Sequence, residues 1–470
     1  MNGLFIIWLG QMISGIATSM AFYALPFWIS NKAGASGSAL AYWETFFFAA
    51  YLFFVLFALF FIDRFPRKPM MLMYDFLLFS ATLVLWVLET AGRLEIWHLY
   101  LNAVIQGVGY AFRLPTYSAV ITILVPRKQN VRANGMLSLL YDLPEIFGPL
   151  LAAVLFLTLG LQGILAINLL TFLLSIGTLL LVEIPSTPYS EEGIVSHIGL
   201  LQEATYGIKY ILKHPGLLGV QMIFLLGNIF SGIALSVTAL YTMINLRTGG
   251  NGELALSVVQ SSGAWAAVLV GLAISLLGGL KHPIRAILWG WIISSLFGLT
   301  LLGIGQMLIA WVVASVINAI FGPIVDVAIN NFIQTKVPPD IQGRVFSASE
   351  FLAQIPFLFT PLLAAYFGDQ IFEPAMQAGG PLANTFAWLV GTGPGAGYGL
   401  MILLCGVGGA LVGVWGFLSP TIRNANENMP DVLLPPPVGL QRKTLPLGEP
   451  PPVVEEEFIT GIVTFRKKQK

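Results

Sequence analysis

A helical integral membrane protein of twelve transmembrane spans, arranged as two six-helix halves, is the fold class that the sequence predicts, and three observations predict it. The first is composition: of 470 residues, 56% are hydrophobic and 10% are charged, with a mean hydropathy of +0.82. A soluble globular chain carries about 25% Asp, Glu, Lys and Arg, so this one has too few charges to cover an aqueous surface, and its 12% aromatic residues exclude a disordered class. The second is length: with a Pro-rich tail set aside, the remainder divides into twelve units of roughly 35 residues, each a span of roughly 20 to 25 residues and a short loop. The third is continuity, because the apolar runs are unbroken rather than alternating, which disfavours a β-barrel.

Gly3 to Asn31 is free of charge, no Lys or Arg precedes it, and the run is too long for the apolar core of a signal peptide. It is read as the first span, 3–30. Charge clusters and Gly/Pro breaks then punctuate the chain into spans at 38–62, 70–91, 97–124, 133–158, 161–183, 216–245, 255–279, 286–306, 308–335, 345–367 and 396–419. Alternate loops hold Arg64, Arg67, Lys68, Arg127, Lys128, Arg132, Lys281, Arg285, Lys336 and Arg344, against Lys32, Arg93 and Arg247 in the others. That excess predicts cytoplasmic termini, with a bacterial plasma (inner) membrane as the expected location.

The connection 184–215 separates an N-terminal half, 1–183, from a C-terminal half, 216–419. Its stretch from His197 to His214 is amphipathic, with Ile198, Leu201, Ile208 and Ile211 among polar residues, and reads as a surface helix bracing the halves or, alternatively, as a partner-binding module. The tail, 420–470, carries eight prolines between Met429 and Pro452, then Glu455 to Glu457 and Arg466 to Lys468, and is expected to be a mostly disordered cytoplasmic extension.

Sliding the chain against itself reveals a repeat. Val125-Pro126-(five residues)-Arg132 recurs as Val337-Pro338-(five residues)-Arg344, and Pro149-Leu-Leu-Ala-Ala recurs as Pro361-Leu-Leu-Ala-Ala, both at an offset of 212. Two such halves are the architecture of a secondary transporter that rocks one half against the other about a midplane site.

Asp63-Arg64-Phe65-Pro66-Arg67-Lys68 resembles the Gly-x-x-x-Asp-Arg-x-Gly-Arg-Arg/Lys loop of the major facilitator superfamily, with Leu59 and Pro66 where that motif has glycine, and Ser275 at the offset of Asp63. Gln106-Gly107-Val108-Gly109 resembles a drug-antiporter motif of the fourth helix, with Ala103 in place of its arginine, and Gly148-Pro149-Leu-Leu-Ala152-Ala153 resembles the fifth-helix motif of exporters. The blocks from Arg113-Leu-Pro115 to Arg132-Ala133-Asn134, and from Val337-Pro338 to Ser347, are similar to the branch containing enterobactin exporters and macrolide efflux permeases. The resemblance covers about residues 3 to 420. It implies the major facilitator fold, a cavity lined by the first, fourth, seventh and tenth helices, and a cytoplasmic gate formed by Asp63, Arg64, Arg67 and Lys68 with Arg132 and Arg344. Topology determinants without a gating role are the alternative for those charges.

A charge within a span costs at least about 2.5 kcal/mol on insertion scales. Glu44, Arg113, Asp142, Glu145 and Asp326 are the deep ones, while Asp75 and Glu350, near inner helix ends, read as structural. Arg113 and Glu145 each lie sixteen residues from Gln129, at matched depth, and Asp142 shares a face with Glu145. Either Arg113 locks two helices through a carboxylate, or these groups serve transport. Asp326 maps by the offset to position 114, so Arg113 and Asp326 are candidates to face each other across the cavity. A carboxylate there whose arginine comes and goes would change its proton affinity with conformation. Asp326, Glu145 and Asp142 are therefore the proton-coupling candidates, and Arg113, Gln106, Gln11 and Asn228 the substrate-cavity candidates, the amides being interhelix contacts on the alternative reading.

The function expected is proton-coupled export of an amphipathic small molecule such as a siderophore, macrolide or peptide-like metabolite by a monomer in the lipid bilayer. The rivals are an uptake permease of the same fold, which would not be expected to keep Gly148-Pro149, and a non-transporting receptor or scaffold. Zero net charge gives no sign of nucleic acid. The single cysteine, Cys405, and the scattered His98, His197, His214 and His282 give no metal-site spacing. No nucleophile-and-base constellation or phosphate loop appears, so neither an enzyme, nor a cofactor, nor direct ATP drive is expected.

Overall fold

The computed structural model describes residues 2–32, 37–64, 66–124, 130–182, 200–247, 252–277, 282–338 and 341–430, and the regular structure among them is helical. Helices α1 (Asn2–Lys32), α2 (Gly37–Arg64), α3 (Arg67–Thr90) and α4 (Ile96–Leu124) come first. The stretch Asn130–Leu181 is helical for 52 residues but breaks at Gly160, whose φ of 63° suits glycine and strains other residues. A straight helix of that length would reach roughly 78 Å, against a hydrocarbon core of roughly 30 Å. It is therefore two spans, α5 (130–159) and α6 (161–181). Their reversal shows in what they touch: Gly148 of α5 rests on Ser19 of α1, while Asn168 of α6 accepts a hydrogen bond from the adjacent Thr18 at 3.2 Å.

After α7 (Leu200–Lys213) come α8 (Pro215–Arg247), α9 (Gly252–Leu277), α10 (283–304), α11 (Leu308–Lys336), α12 (342–376), α13 (Ala383–Val390) and α14 (Ala396–Leu418). Wider π turns interrupt α10 at Ser294–Leu299 and α12 at Gly368–Phe372. Ten stretches among the described residues are long and apolar enough to cross a membrane. One of them, Leu143–Leu181, holds two spans, and α4, whose one formal charge is Arg113, completes the twelve.

The 212-residue repeat persists in the packing, with a change of sides. Gly148 of α5 lies on Ser19 of α1 in the first half, and in the second half Thr360 of α12, the counterpart of Gly148, lies on Gly232 of α8. Likewise Gly107 of α4 meets the backbone of Phe47 in α2, whereas its counterpart Ala319 of α11 meets Gly263 of α9. Close approach of two helices needs a missing side chain at the crossing, and either helix can supply it.

Two findings move boundaries drawn from the sequence. Within the 184–215 connection, α7 joins the C-terminal half: Ile211 is fully buried, Gly207 rests on the Arg344 carbonyl, and the Arg344 guanidinium lies 5.6 Å from the Tyr206 ring centre. Residues 420–430, assigned above to the tail, are folded: Ile422 and Ala425 are buried, and Lys336 donates to the carbonyls of Asn426 and Met429, the latter at 2.7 Å. The Pro-rich remainder, 431–470, lies outside the described residues.

The buried apolar side chains show how the halves meet. At the end away from the termini one cluster spans both, joining Ala24, Phe27, Leu40 and Leu161 to Tyr241, Leu256, Trp311 and Met401. At the end bearing the termini each half has its own cluster, around Met71, Phe112 and Phe172 in one and Leu217, Phe332 and Val345 in the other. Among the described residues, then, the bundle is sealed at one end and parted at the other. Two contacts mark the seam: Phe48 of α2 stacks on Phe357 of α12 at 5.4 Å, and Ser261 of α9 donates to the Ile146 carbonyl of α5 at 2.9 Å.

Candidate functional site

A cavity of about 560 Å³ lies in the C-terminal half, walled by α8, α10, α11 and α12. It runs from Leu235, Leu299 and Asn318 in the middle of the bundle towards Ile333 and Phe346 at the parted end. Two carboxylates, Asp326 and Glu350, share it with the amides Asn228, Asn318, Asn330 and Gln354 and the aromatic rings of Phe224, Trp291, Phe321, Phe346 and Phe357. Apolar walls with a few polar groups converging inside them are the general form of a small-molecule site.

Local sequence shapes these walls. Pro356 lacks a backbone donor and interrupts α12 at Ile355, and beside that break the Asn228 amide donates to the Ala353 carbonyl at 2.8 Å. One turn nearer the parted end, Gln221 of α8 donates to the Ser349 carbonyl at 3.0 Å while the Ser349 hydroxyl donates back to Gln221 at 2.7 Å. These bonds fix α12 against α8 and present Glu350, which accepts from Gln354 at 2.9 Å. Glu350 is the charge whose field reaches Asp326, and it also reaches Tyr51 and Tyr110 of the N-terminal half, whose rings lie 5.7 Å apart.

The candidates of the N-terminal half gather elsewhere. The Arg113 guanidinium lies over Gly15 beside Pro144 and reaches towards the Gln11 carbonyl at 3.4 Å. The carboxylates in its field are Asp75 and Glu145. Glu145 accepts from Tyr23 at 2.8 Å. Gln11 is 1% exposed, and its amide donates at 2.8 Å to both Asp75 and Ser175, with Ser175 donating to Asp75 at 2.9 Å. Asp75, read from the sequence as a helix-end group, is thus 2% exposed and ties α1, α3 and α6 together.

The structure therefore places Asp326 and Asn228 in the cavity, Arg113 and Glu145 near each other in the first half, and Gln11 in a buried knot. Gln106 is half-buried beside Gly107, which packs on α2, and Pro149 is buried next to Gly148. Of the loop charges, Lys68 caps α6 by donating to the carbonyls of Leu180 and Val182 at 3.2 and 2.8 Å, Arg67 is half-buried, and Arg344 lies against α7. The side chains of Asp63, Arg64, Arg132 and Asp142 lie outside the described residues. Sequence reasoning missed Glu350 as a cavity group. The signal available was Pro356, six residues beyond Glu350, which interrupts α12. Among the described residues no group of three or more His, Cys, Asp or Glu could hold a metal ion.

Residues 7–361 match the family description Major Facilitator Superfamily. The chain is 25% identical over 377 residues to Macrolide efflux protein A of Streptococcus pyogenes, covering 78% of this chain and 89% of that protein. It is 27% identical over 379 residues to Multidrug resistance protein MdtG of Proteus mirabilis, again with 78% and 89% covered. In fold it is similar to a bacterial homologue of the human lysosomal transporter Spinster in an inward-facing, unoccupied conformation, at a TM-score of 0.65 and 15% identity over 91% of this chain and 97% of that one. Twelve spans in repeated halves, a cavity between helices, and a match over most of the chain place it: the protein belongs to the major facilitator superfamily of membrane transporters.

Proposed function

We propose that the protein is a proton-coupled exporter of an amphipathic small molecule, such as a siderophore, macrolide or peptide-like metabolite, working as a monomer by alternating access in a bacterial plasma membrane. The observation that carries this reading is the pair Asp326 and Glu350 in an aromatic-walled cavity that runs towards the parted end of the bundle. Aromatic faces and amides suit an amphipathic guest, and carboxylates that change their neighbours as the halves rock are what exchange of a proton for that guest requires.

The excess of Lys and Arg in the loops at the parted end supports assigning that end to the cytoplasm, so the cavity would load from inside the cell. Relatives named for macrolide efflux and multidrug resistance support outward transport. Asp326 is the first candidate to carry the proton, with Glu350 beside it, and Glu145, held by Tyr23, is the candidate in the other half.

The test is an accumulation assay in cells lacking their own efflux pumps, across a panel of siderophores and macrolides. Expression is expected to lower accumulation of one class, and a protonophore to abolish the difference. Raised accumulation would identify an uptake permease instead, and an unchanged panel would remove the substrate class.

A further inference from the structure

The inner surface of the C-terminal cavity carries one sign of charge. Asp326 comes from α11 and Glu350 from α12, both are exposed, and among the described residues that line the cavity none is Lys, Arg or His. The cations next in sequence to its lining are committed elsewhere. Lys336, three residues beyond Ile333, donates to the carbonyls of Asn426 and Met429, and Arg344, two residues before Phe346, lies on the Tyr206 ring of α7. Arg113 of the other half reaches towards the Gln11 carbonyl. Between apolar walls a carboxylate needs a cation or a proton, and the lining supplies no cation.

The neutral polar groups repeat this bias, because their hydrogens are largely spent on the protein. Asn228 donates to the Ala353 carbonyl at 2.8 Å, Asn318 to the Ser294 carbonyl at 3.4 Å, and Gln354 to Glu350 at 2.9 Å. Only the nitrogen of an amide can donate, so these bonds also fix which way each amide is turned and leave its oxygen able to accept. Ser231 and Ser349 donate their single hydrogens to the Gly227 carbonyl at 2.9 Å and to Gln221 at 2.7 Å, and keep their lone pairs. Asn330 is the lining amide whose hydrogens no described residue accepts. A guest therefore meets more acceptors than donors and must bring donors of its own.

Rings on all four helices complete the lining: Phe224 of α8, Trp291 of α10, Phe321 of α11 and Phe357 of α12. The face of an aromatic ring carries partial negative charge, so it attracts a cation and repels an anion. The cavity, at about 560 Å³, is large enough for a drug-sized molecule.

We propose that this cavity takes an organic cation, a protonated amine or guanidinium on an apolar body, with its N–H groups directed to Asp326 and Glu350 and its body held among the rings. The proposal rests on the export reading above and narrows its substrate class. A macrolide bearing an amino sugar, or a peptide with a free amine, has that chemistry. A catecholate or carboxylate siderophore does not, since it would set its negative charges against two carboxylates and a set of acceptor oxygens.

Pyrenemethylamine, pyrenemethanol and pyreneacetate share one fluorescent body and are, at neutral pH, a cation, a neutral molecule and an anion. Their anisotropy, titrated with the full-length protein in phosphatidylcholine nanodiscs against empty nanodiscs, reads binding without a charged bilayer sorting the probes. The wild type should bind the ammonium at least about tenfold more tightly than the alcohol, and pyreneacetate more weakly than either. Glu350→Gln should weaken the ammonium by about tenfold and leave the alcohol unchanged, and Asp326→Asn should act in the same direction. If Glu350→Gln loses the alcohol as well, Glu350→Asp decides: ammonium selectivity kept with the charge supports the cation site, and selectivity lost overturns it. Pyreneacetate bound as tightly as the ammonium, or wild-type ammonium affinity in both Glu350→Gln and Asp326→Asn, also overturns it. Protonophore-sensitive export of a catecholate siderophore overturns the cation site and leaves export standing, whereas selective ammonium binding with unchanged accumulation across the panel supports the site and overturns export.

Discussion

Gly148 is a glycine because any side chain there would collide with the Ser19 hydroxyl of α1. Gly148→Ala is expected to lower stability by about 1–3 kcal/mol through overpacking, and Ser19→Gly in the same chain to restore most of it. Thermal unfolding in detergent checks this, and a single variant as stable as the wild type would show that the crossing is loose. Charged positions were unevenly legible. Asp326 stands out as a charge within an apolar run and does line the cavity. Glu350 was equally visible as a residue, but its place depends on where α12 begins and breaks, and Asp75 on partners 64 and 100 residues away in sequence. The paired rings of Tyr51 and Tyr110 were hidden by abundance, among 14 Tyr, 33 Phe and 11 Trp.

Elements were easier to read than residues, because each span is a continuous apolar run with its own punctuation. The span drawn at 70–91 is Arg67–Thr90, and that drawn at 396–419 is Ala396–Leu418. The exception is α12, which runs past the expected end at 367 to Met376. Asp369 and Glu373 look like residues beyond a helix end, yet they are satisfied within it, by the Tyr398 hydroxyl and by the backbone donor of Gly397 at 3.0 Å. Lys68 illustrates how a motif residue can serve an element. It supplies donors to the last carbonyls of α6, which would otherwise lack partners. Lys68→Met keeps the length of the side chain and removes the donors, so it should cost about 1.5–3 kcal/mol in thermal unfolding. If Lys68 acts instead only as a gate charge, the same variant should unfold like the wild type while transport changes.

At the scale of the molecule, the 212-residue offset foretold two equivalent halves, and the glycine contacts of both halves bear it out. Which end is sealed was not legible, since a chain that rocks, as proposed, would use one sequence for two arrangements of similar energy. Nor was the true end of the folded unit, because the buried Ile422 and Ala425 lie in a short stretch of mixed polarity. Truncation after Pro430 should leave folding and transport intact, whereas truncation after Ser419 removes the carbonyls that Lys336 binds and should weaken the protein. Expression yield and thermal unfolding of the two truncations separate these outcomes, and equal stability would show that the 420–430 turns contribute nothing. The most direct test of proton-coupled export is uphill movement of a radiolabelled macrolide in liposomes under an imposed pH gradient. The wild type should accumulate it in proportion to the gradient, while stable Asp326→Asn should exchange it only downhill. Uphill movement by Asp326→Asn with a normal pH dependence, or wild-type accumulation that ignores the gradient, would contradict the account.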